Sequence, residues 1–448
     1  MRSLAALDVS RFLKEKRERK NSRRQHRKWR AIQDVSDGKA IDEAFGEKSA
    51  IIRLVADGME PSSRAVRKRR VVFEAPECFS LIDDPVGCLT ALKRLAADLS
   101  VPRLRSIKID LGRVKSYDVG ANGILDVLVA EISFKARRDK RRIKWTGVYP
   151  ADSKLKRLVK ALGVIKKLEV EHEYPEAGEA AKLEAFDDRC RNYYRAVRPT
   201  EADKKAKAAQ NFADHLSGCL ERVNRKFTPE ARHQLCRYIG EILDNVEEHA
   251  QMLDWTIQGY LDTHKAPWIC EIVIFNFGRT IADNFRELKE GSYTKELISQ
   301  YIETHSKSGF FAKGWNPDDL YTLIALQERV STKNFEKSGM RGFGTVDFMM
   351  FFERLCTECL AGGGAVAPVM TLISGESRIL FDGRYRLKPN SAGNHVIAFN
   401  AGNDLHEKPD PRSVMHMTPG AFPGTVLSVK FPISAQQATT VPSLGTPS

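Results

Sequence analysis

Apolar residues recur along this chain with two alternating periods. "SIKIDL", residues 106–111, alternates Ile107, Ile109 and Leu111, the two-residue period of a strand with one buried face. From Ala121 onward Ile124, Leu125, Leu128, Val129 and Ile132 keep helical spacing, and "RIKWTGV" follows as another short strand. "DSKLKRLVKALG" predicts a helix, with Asp152 or Ser153 as N-cap and Gly163 as its stop. Together with "RRVVFEAP" before them, these segments predict an α/β domain over residues 71–172. The acidic stretch "EYPEAGEAAKLEAFDD" reads as part of a linker, residues 173–200.

A second block spans residues 201–434. "ADKKAKAAQNFADHLSGCLERVN" and "TPEARHQLCRYIGEILDNVEEHA" have the spacing of two helices, the second with Thr228 as N-cap and Pro229 as first helical residue. "WICEIVIFNFG" is a buried-type strand, and residues from about 283 to 330 are helical in pattern. "STKNFEKSGMRGFGTVDFMMFFERL" is a glycine-containing loop running into a helix whose "FMMFF" belongs to a core. "VMTLISG", "RILFDG", "HVIAFNA" and "GTVLSVKFPI" have strand character, and the tail 435–448 reads as disordered.

Composition adds two constraints. Of 448 residues 42% are hydrophobic and 29% charged, the balance of a globular chain long enough for two or three cores. No apolar run of membrane-spanning length occurs, the N-terminus has no secretory pattern, and the eight cysteines are scattered, so a reduced, cytoplasmic setting is expected. Cys356 and Cys359 form a lone CxxC, insufficient for a four-ligand zinc site. Charge is uneven: residues 1–70 hold 20 Lys/Arg against 10 Asp/Glu, out of a net +14 for the whole chain. That arm, helical or disordered, suits a solvated segment or one that meets nucleic acid or an acidic protein.

The helix ending in "IGEILDNVEEHAQ" carries the candidate chemistry. Ile239, Ile242, Leu243, Val246 and Ala250 form one stripe; Glu241, Asn245 and Glu248 form a second on another side of the helix. Alone, the polar stripe fits a solvated face. Alongside it, however, stand "FNFGRTI", the loop "GMRGFG" at 339–344 opening a helix, and "PGT" at 423–425 entering a strand. An amide such as Asn245 is a reasonable Mg²⁺ ligand, and Glu241 one turn earlier can deprotonate a water or hydroxyl. Gly339, Gly342 and Gly344 allow backbone N–H groups close to phosphate oxygens, and Gly278 allows close approach to a base.

In this order and at these intervals the four elements resemble the GHKL ATPase superfamily, which includes gyrase B, MutL, histidine kinases and anti-sigma-factor serine kinases. "EILDNVEEHA" is most similar to the anti-sigma kinases. The resemblance covers residues 201–434 and implies a Bergerat-type ATP-binding α/β sandwich. It assigns Glu241 as catalytic base, Asn245 as Mg²⁺ ligand, Gly339, Gly342 and Gly344 as phosphate-holding lid residues, and Asn276, Gly278 and Thr425 as the adenine end. The family's D-x-G-x-G departs here: Asn276 stands for the Asp and Thr280 for the second Gly, which implies weaker or less selective purine binding.

"SIKIDLGRVKSYDVGANGILDVL" resembles the STAS domain of anti-sigma-factor antagonists, over residues 71–172. Asp118 falls on that motif's Asp, but Gly120 stands where the phosphorylated serine would be, with Ser116 and Tyr117 nearby. The expected architecture is therefore a basic arm, a STAS-like α/β module acting as a docking or nucleotide-sensing scaffold, and a GHKL-type ATP domain, in a bacterial regulatory protein. ATP and Mg²⁺ are the expected cofactors. Expected partners are a STAS or sigma-regulatory protein, nucleic acid through the arm, or a second copy of the chain, with no membrane. A serine/threonine kinase acting on a separate STAS partner and a non-catalytic ATP-sensing adaptor are the alternative functions.

Overall fold

The structure, a computed structural model, describes residues 49–162, 182–190, 204–222, 225–250, 255–265, 267–309, 315–328, 330, 344–361, 366–390, 393–433 and 438–440. The fold is mixed α/β, with parallel and antiparallel sheets. It begins with α1 (Ala50–Ala56) and α2 (Ser63–Lys68), both inside the segment read as a basic arm to residue 70. That boundary was drawn too late. Ile51, Ile52 and Val55 give α1 a buried apolar face that the surrounding charge obscures.

Strands β1 (Arg70–Glu74), β3 (Ser106–Asp110) and β5 (Lys144–Val148) form a parallel sheet in the order β1-β3-β5. Parallel neighbours need crossover connections. Here α3 (Pro85–Leu99) and α4 (Val119–Arg138) supply them, while β2 (Cys78–Phe79) pairs with β4 (Ser116–Tyr117). α5 (Ser153–Leu162) follows, its first turn held by Asp152, which accepts from Leu155 N–H at 2.8 Å.

The larger sheet has seven strands in the order β14-β11-β10-β15-β9-β8-β6, each pair antiparallel. Its members are β6 (Leu183–Cys190), β8 (Trp255–Asp262), β9 (Ile269–Phe277), β10 (Val369–Gly375), β11 (Ser377–Phe381), β14 (Val414–His416) and β15 (Phe422–Pro432). β6 lies within the stretch read as linker 173–200. Its acidic composition is compatible with a strand because Asp187 accepts from Gln258 Nε2 (2.8 Å) and pairs with Arg189 (3.0 Å). The tail is likewise not wholly irregular: β16 (Ala438–Thr440) pairs with β7 (Arg225–Phe227), in keeping with the strand preference of adjacent threonines.

β9 shows how the sheet is covered. Ile272 and Ile274 join a core with Phe212 and Leu216 of α6 (Lys204–Glu221) and Ile239 and Leu243 of α7 (Pro229–Ala250). Val273, Phe275 and Phe277, on the other face, join Ile124, Leu125 and Leu128 of α4. Residues 50–191 and 203–448 accordingly form one compact unit, so the segments read from sequence as two domains, 71–172 and 201–434, share a core.

The stretch expected to be helical, from about 283 to 330, holds three helices among the described residues: α8 (Ile281–Arg286), α9 (Tyr293–Lys307) and α10 (Pro317–Ile324). α11 (Gly344–Ala361) then leads into β10, with Met349, Phe352 and Cys356 buried. "HVIAFNA" departs from its expected strand. Only His395–Val396 (β13) pairs, with Lys388–Pro389 (β12). Beyond it, side-chain amides replace a neighbouring strand: Gln327 bonds both N–H and C=O of Ile397 at 3.0 Å, and Asn403 accepts from Ala398 N–H at 2.9 Å. The alternation in sequence is real, but its backbone is satisfied without a ladder.

Candidate functional site

Three of the residues named from the sequence meet at the junction of β9 and β15. Thr425 pairs directly with Asn276, and Gly278 N–H donates to Pro423 C=O at 3.1 Å. Asn276 follows Ile272 and Ile274 on the helix-covered face, and its partner across β8 is Trp255, itself 1% exposed. α7 packs across β8, β9 and β15 on that side. The Asn276 side chain is 2% exposed and supplies a neutral amide to the layer between sheet and helices.

The turn geometry explains "PGT". Gly424 has φ 142°, and a Cβ there would lie 2.1 Å from the Asn276 carbonyl oxygen. No side chain fits, so glycine is what lets β15 reach the end of β9. Gly278, at φ 125°, turns the chain out of β9 toward α8. Thr280 then caps α8, its Oγ1 accepting from Asp283 N–H (3.1 Å) while Asp283 accepts from Thr280 N–H (3.0 Å). Thr280 is thus committed to a capping box.

Ser374 was not recognised from sequence. It lies opposite Thr425 across β10, its Oγ 3.0 Å from Thr425 Oγ1, and it accepts from Ile281 N–H at 2.9 Å. One serine therefore ties β10, β15 and the start of α8 together. Nothing local in "VMTLISG" signals this, because only the strand register sets Ser374 beside Thr425.

Glu241 stands elsewhere along the helical layer. It is half-buried on α7 and lines an open groove of ≈ 790 Å³ with Gln210 of α6, Thr228, Arg232, His233 and Arg237. Asn276, Gly278 and Thr425 do not line that groove. Thr228 caps α7, accepting from Ala231 N–H at 3.2 Å, with Pro229 first in the helix as expected. Asn245 and His249 lie on α7, but their side chains, like Gly339 and Gly342, fall outside the described residues; Gly344 is the first residue of α11. Among the described residues no group of three or more His, Cys, Asp or Glu is placed to hold a metal ion.

The segment around Asp118 lies on the opposite face of the same sheet. Asp118 caps α4, accepting from Ala121 N–H (2.7 Å), Ser80 Oγ (2.7 Å) and Ile82 N–H (3.0 Å). Burial pushes its carboxyl above the usual aspartate range, against those hydrogen bonds. Val119 N–H donates to Glu271 Oε1 of β9 at 2.6 Å, and Tyr260 O–H donates to Glu271 Oε2 at 2.7 Å. A Cβ on Gly120 would come within 2.9 Å of Ser428 Oγ and 3.0 Å of Leu81. Gly120 is thus pressed against β15.

Comparison with protein-family models, characterised proteins and solved structures finds no match to this chain. The functional reading therefore rests on the geometry above. No helix of the described residues is long and apolar enough to cross a membrane.

Proposed function

We propose that this chain is a regulatory protein that binds Mg²⁺-ATP in a GHKL-type site on the helical face of the seven-stranded sheet. The observation that carries the proposal is the pairing of Asn276 with Thr425 beside Gly278 and Gly424, beneath α7. Distant sequence segments named for an adenine end become neighbours there, with neutral donors and acceptors suited to a base edge. The start of α11 at Gly344 offers backbone N–H groups to phosphates, with Gly339 and Gly342 preceding it. Asn245 would hold Mg²⁺, which neutralises phosphate charge when bound. Glu241 would take the proton of a water attacking the γ-phosphorus, as the bond to the β-phosphate oxygen breaks and ADP leaves.

Binding of a fluorescent ATP analogue and release of γ-labelled phosphate, both with Mg²⁺, test this on the full chain. Thr425→Ala should weaken binding, whereas Glu241→Ala should bind and fail to release phosphate. A wild type that binds no nucleotide overturns the proposal. If it binds without turnover, the second reading applies: a kinase for a separate STAS partner, favoured by the filled space around Gly120 in the chain's own module. An ATP-driven switch would then act through transfer to that partner or through binding alone.

A further inference from the structure

The parallel sheet carries a charge pattern that the nucleotide reading does not use. Because β1, β3 and β5 run in the same direction, their first residues lie side by side: Arg70 pairs with Ser106, and Ser106 with Lys144. The residues just before them are joined too, with Arg105 N–H donating to Arg69 C=O (2.8 Å) and Lys144 N–H to Arg105 C=O (2.9 Å). With parallel neighbours about 4.8 Å apart, the three strand starts fall within roughly 10 Å.

Nearly everything charged at that end is cationic. Arg69, Arg70, Arg103, Arg105, Arg142 and Lys144 are all exposed, and residues 64–70, 103–105 and 140–144 contain no Asp or Glu. Among the described residues none of the six is in an ion pair. Asp139, in the turn before Arg142, is already held by Arg138 (3.4 Å) and Arg141 (2.5 Å). Carboxylates close the other end, with Glu74 ending β1 and Asp110 ending β3. The last turn of α2 adds Arg67 and Lys68 on the cationic side.

We propose that this edge of the folded body is a docking surface for the phosphate backbone of a nucleic-acid duplex, distinct from the basic N-terminal segment. Arginine predominates, and its planar fork suits phosphate oxygens. The large apolar side chains exposed among the described residues are Val66 and Val148, and Trp145 beside Lys144 is half-buried, so stacking of single-stranded bases and insertion into a lipid surface have little to rest on here. Phosphate contacts of this kind bind without reading sequence.

The test is fluorescence anisotropy of the full chain with a short fluorescein-labelled duplex across a KCl series. The wild type is compared with Arg70→Gln/Arg105→Gln/Lys144→Gln, with Arg103→Gln/Arg142→Gln as a second variant, and with a variant whose basic residues between 11 and 30 are Gln. Thermal melts establish that each is folded. Loss of three phosphate contacts lowers the slope of log K against log [salt] by about 2.7 and weakens low-salt binding roughly tenfold or more. Wild-type affinity and slope in both sheet-edge variants overturn the proposal. So does a chain that ignores the duplex and binds vesicles containing phosphatidylserine.

Discussion

Helices α4 and α7 lie on opposite faces of one sheet, and their glycines have opposite surroundings. On α4 a Cβ at Gly120 would meet Ser428, and one at Gly123 would come within 2.8 Å of Phe275 Cε1. On α7 a Cβ at Gly240 would meet nothing within 4 Å, and Gly240 lines the same groove as Glu241. The first pair lets a helix press against a sheet; the last leaves space. Polar groups divide in the same way. On the α4 side, Asp118 and Glu271 are buried carboxylates whose bonds to Val119, Ala121 and Tyr260 hold the N-terminal segment in register. At the β9–β15 junction, the groups are neutral: Asn276, Ser374 and Thr425. The α4 face is closed by close helix–sheet contacts, whereas the α7 face leaves space beside Gly240.

The largest test of this contrast is Gly424→Ala, which drives a methyl into the Asn276 carbonyl at a positive φ. A loss of about 3 kcal/mol or more is expected from overpacking plus backbone strain. Chemical denaturation measures it, and wild-type stability would mean that the β9–β15 junction is looser than described. Next, Gly123→Ala should lower stability by about 1–3 kcal/mol despite the better helix propensity of alanine, because Phe275 and Gln258 occupy the space. Gly240→Ala should instead raise it by up to about 1 kcal/mol. Two shifts of the same sign in thermal melts would remove the distinction between the faces.

The smallest effect concerns Glu271, whose carboxyl burial pushes up from its ordinary 4.5, partly opposed by Lys430. A carboxyl raised in the folded state favours folding at low pH. That contribution is lost as pH rises from about 4.5 through the folded value, since the unfolded chain ionises first. Glu271→Gln keeps an acceptor for Val119 N–H and removes the titration. The variant should match the wild type near pH 4 and exceed it in stability at pH 7–8. A variant that is less stable at pH 7 than the wild type would show that the charge itself is needed there.

Much of the site was legible locally, in pieces. Thr228 before Pro229 marks the start of α7, Asp118 marks the start of α4, and the alternation in 106–111 marks β3, because caps and periodicity act within a few residues. The same local reading placed Glu241 and Asn245 on one helix and took "PGT" for a strand entry. It missed α1 and β6, where charge in the neighbourhood hid short apolar faces and satisfied carboxylates. Ser374 was invisible for a different reason. Nothing about a serine at the end of one strand says which threonine it will face.

By itself, then, the chain determined where most helices and strands begin and which face of each is apolar. These depend on side-chain volume, backbone preference and hydrogen bonding over one or two turns. Only the tertiary structure decided that Asn276 meets Thr425, that Gly120 is sealed against Ser428, and that three basic strand starts share one edge. Pairing between strands far apart in sequence is settled by burying both faces of a sheet at once. No single segment contains that information.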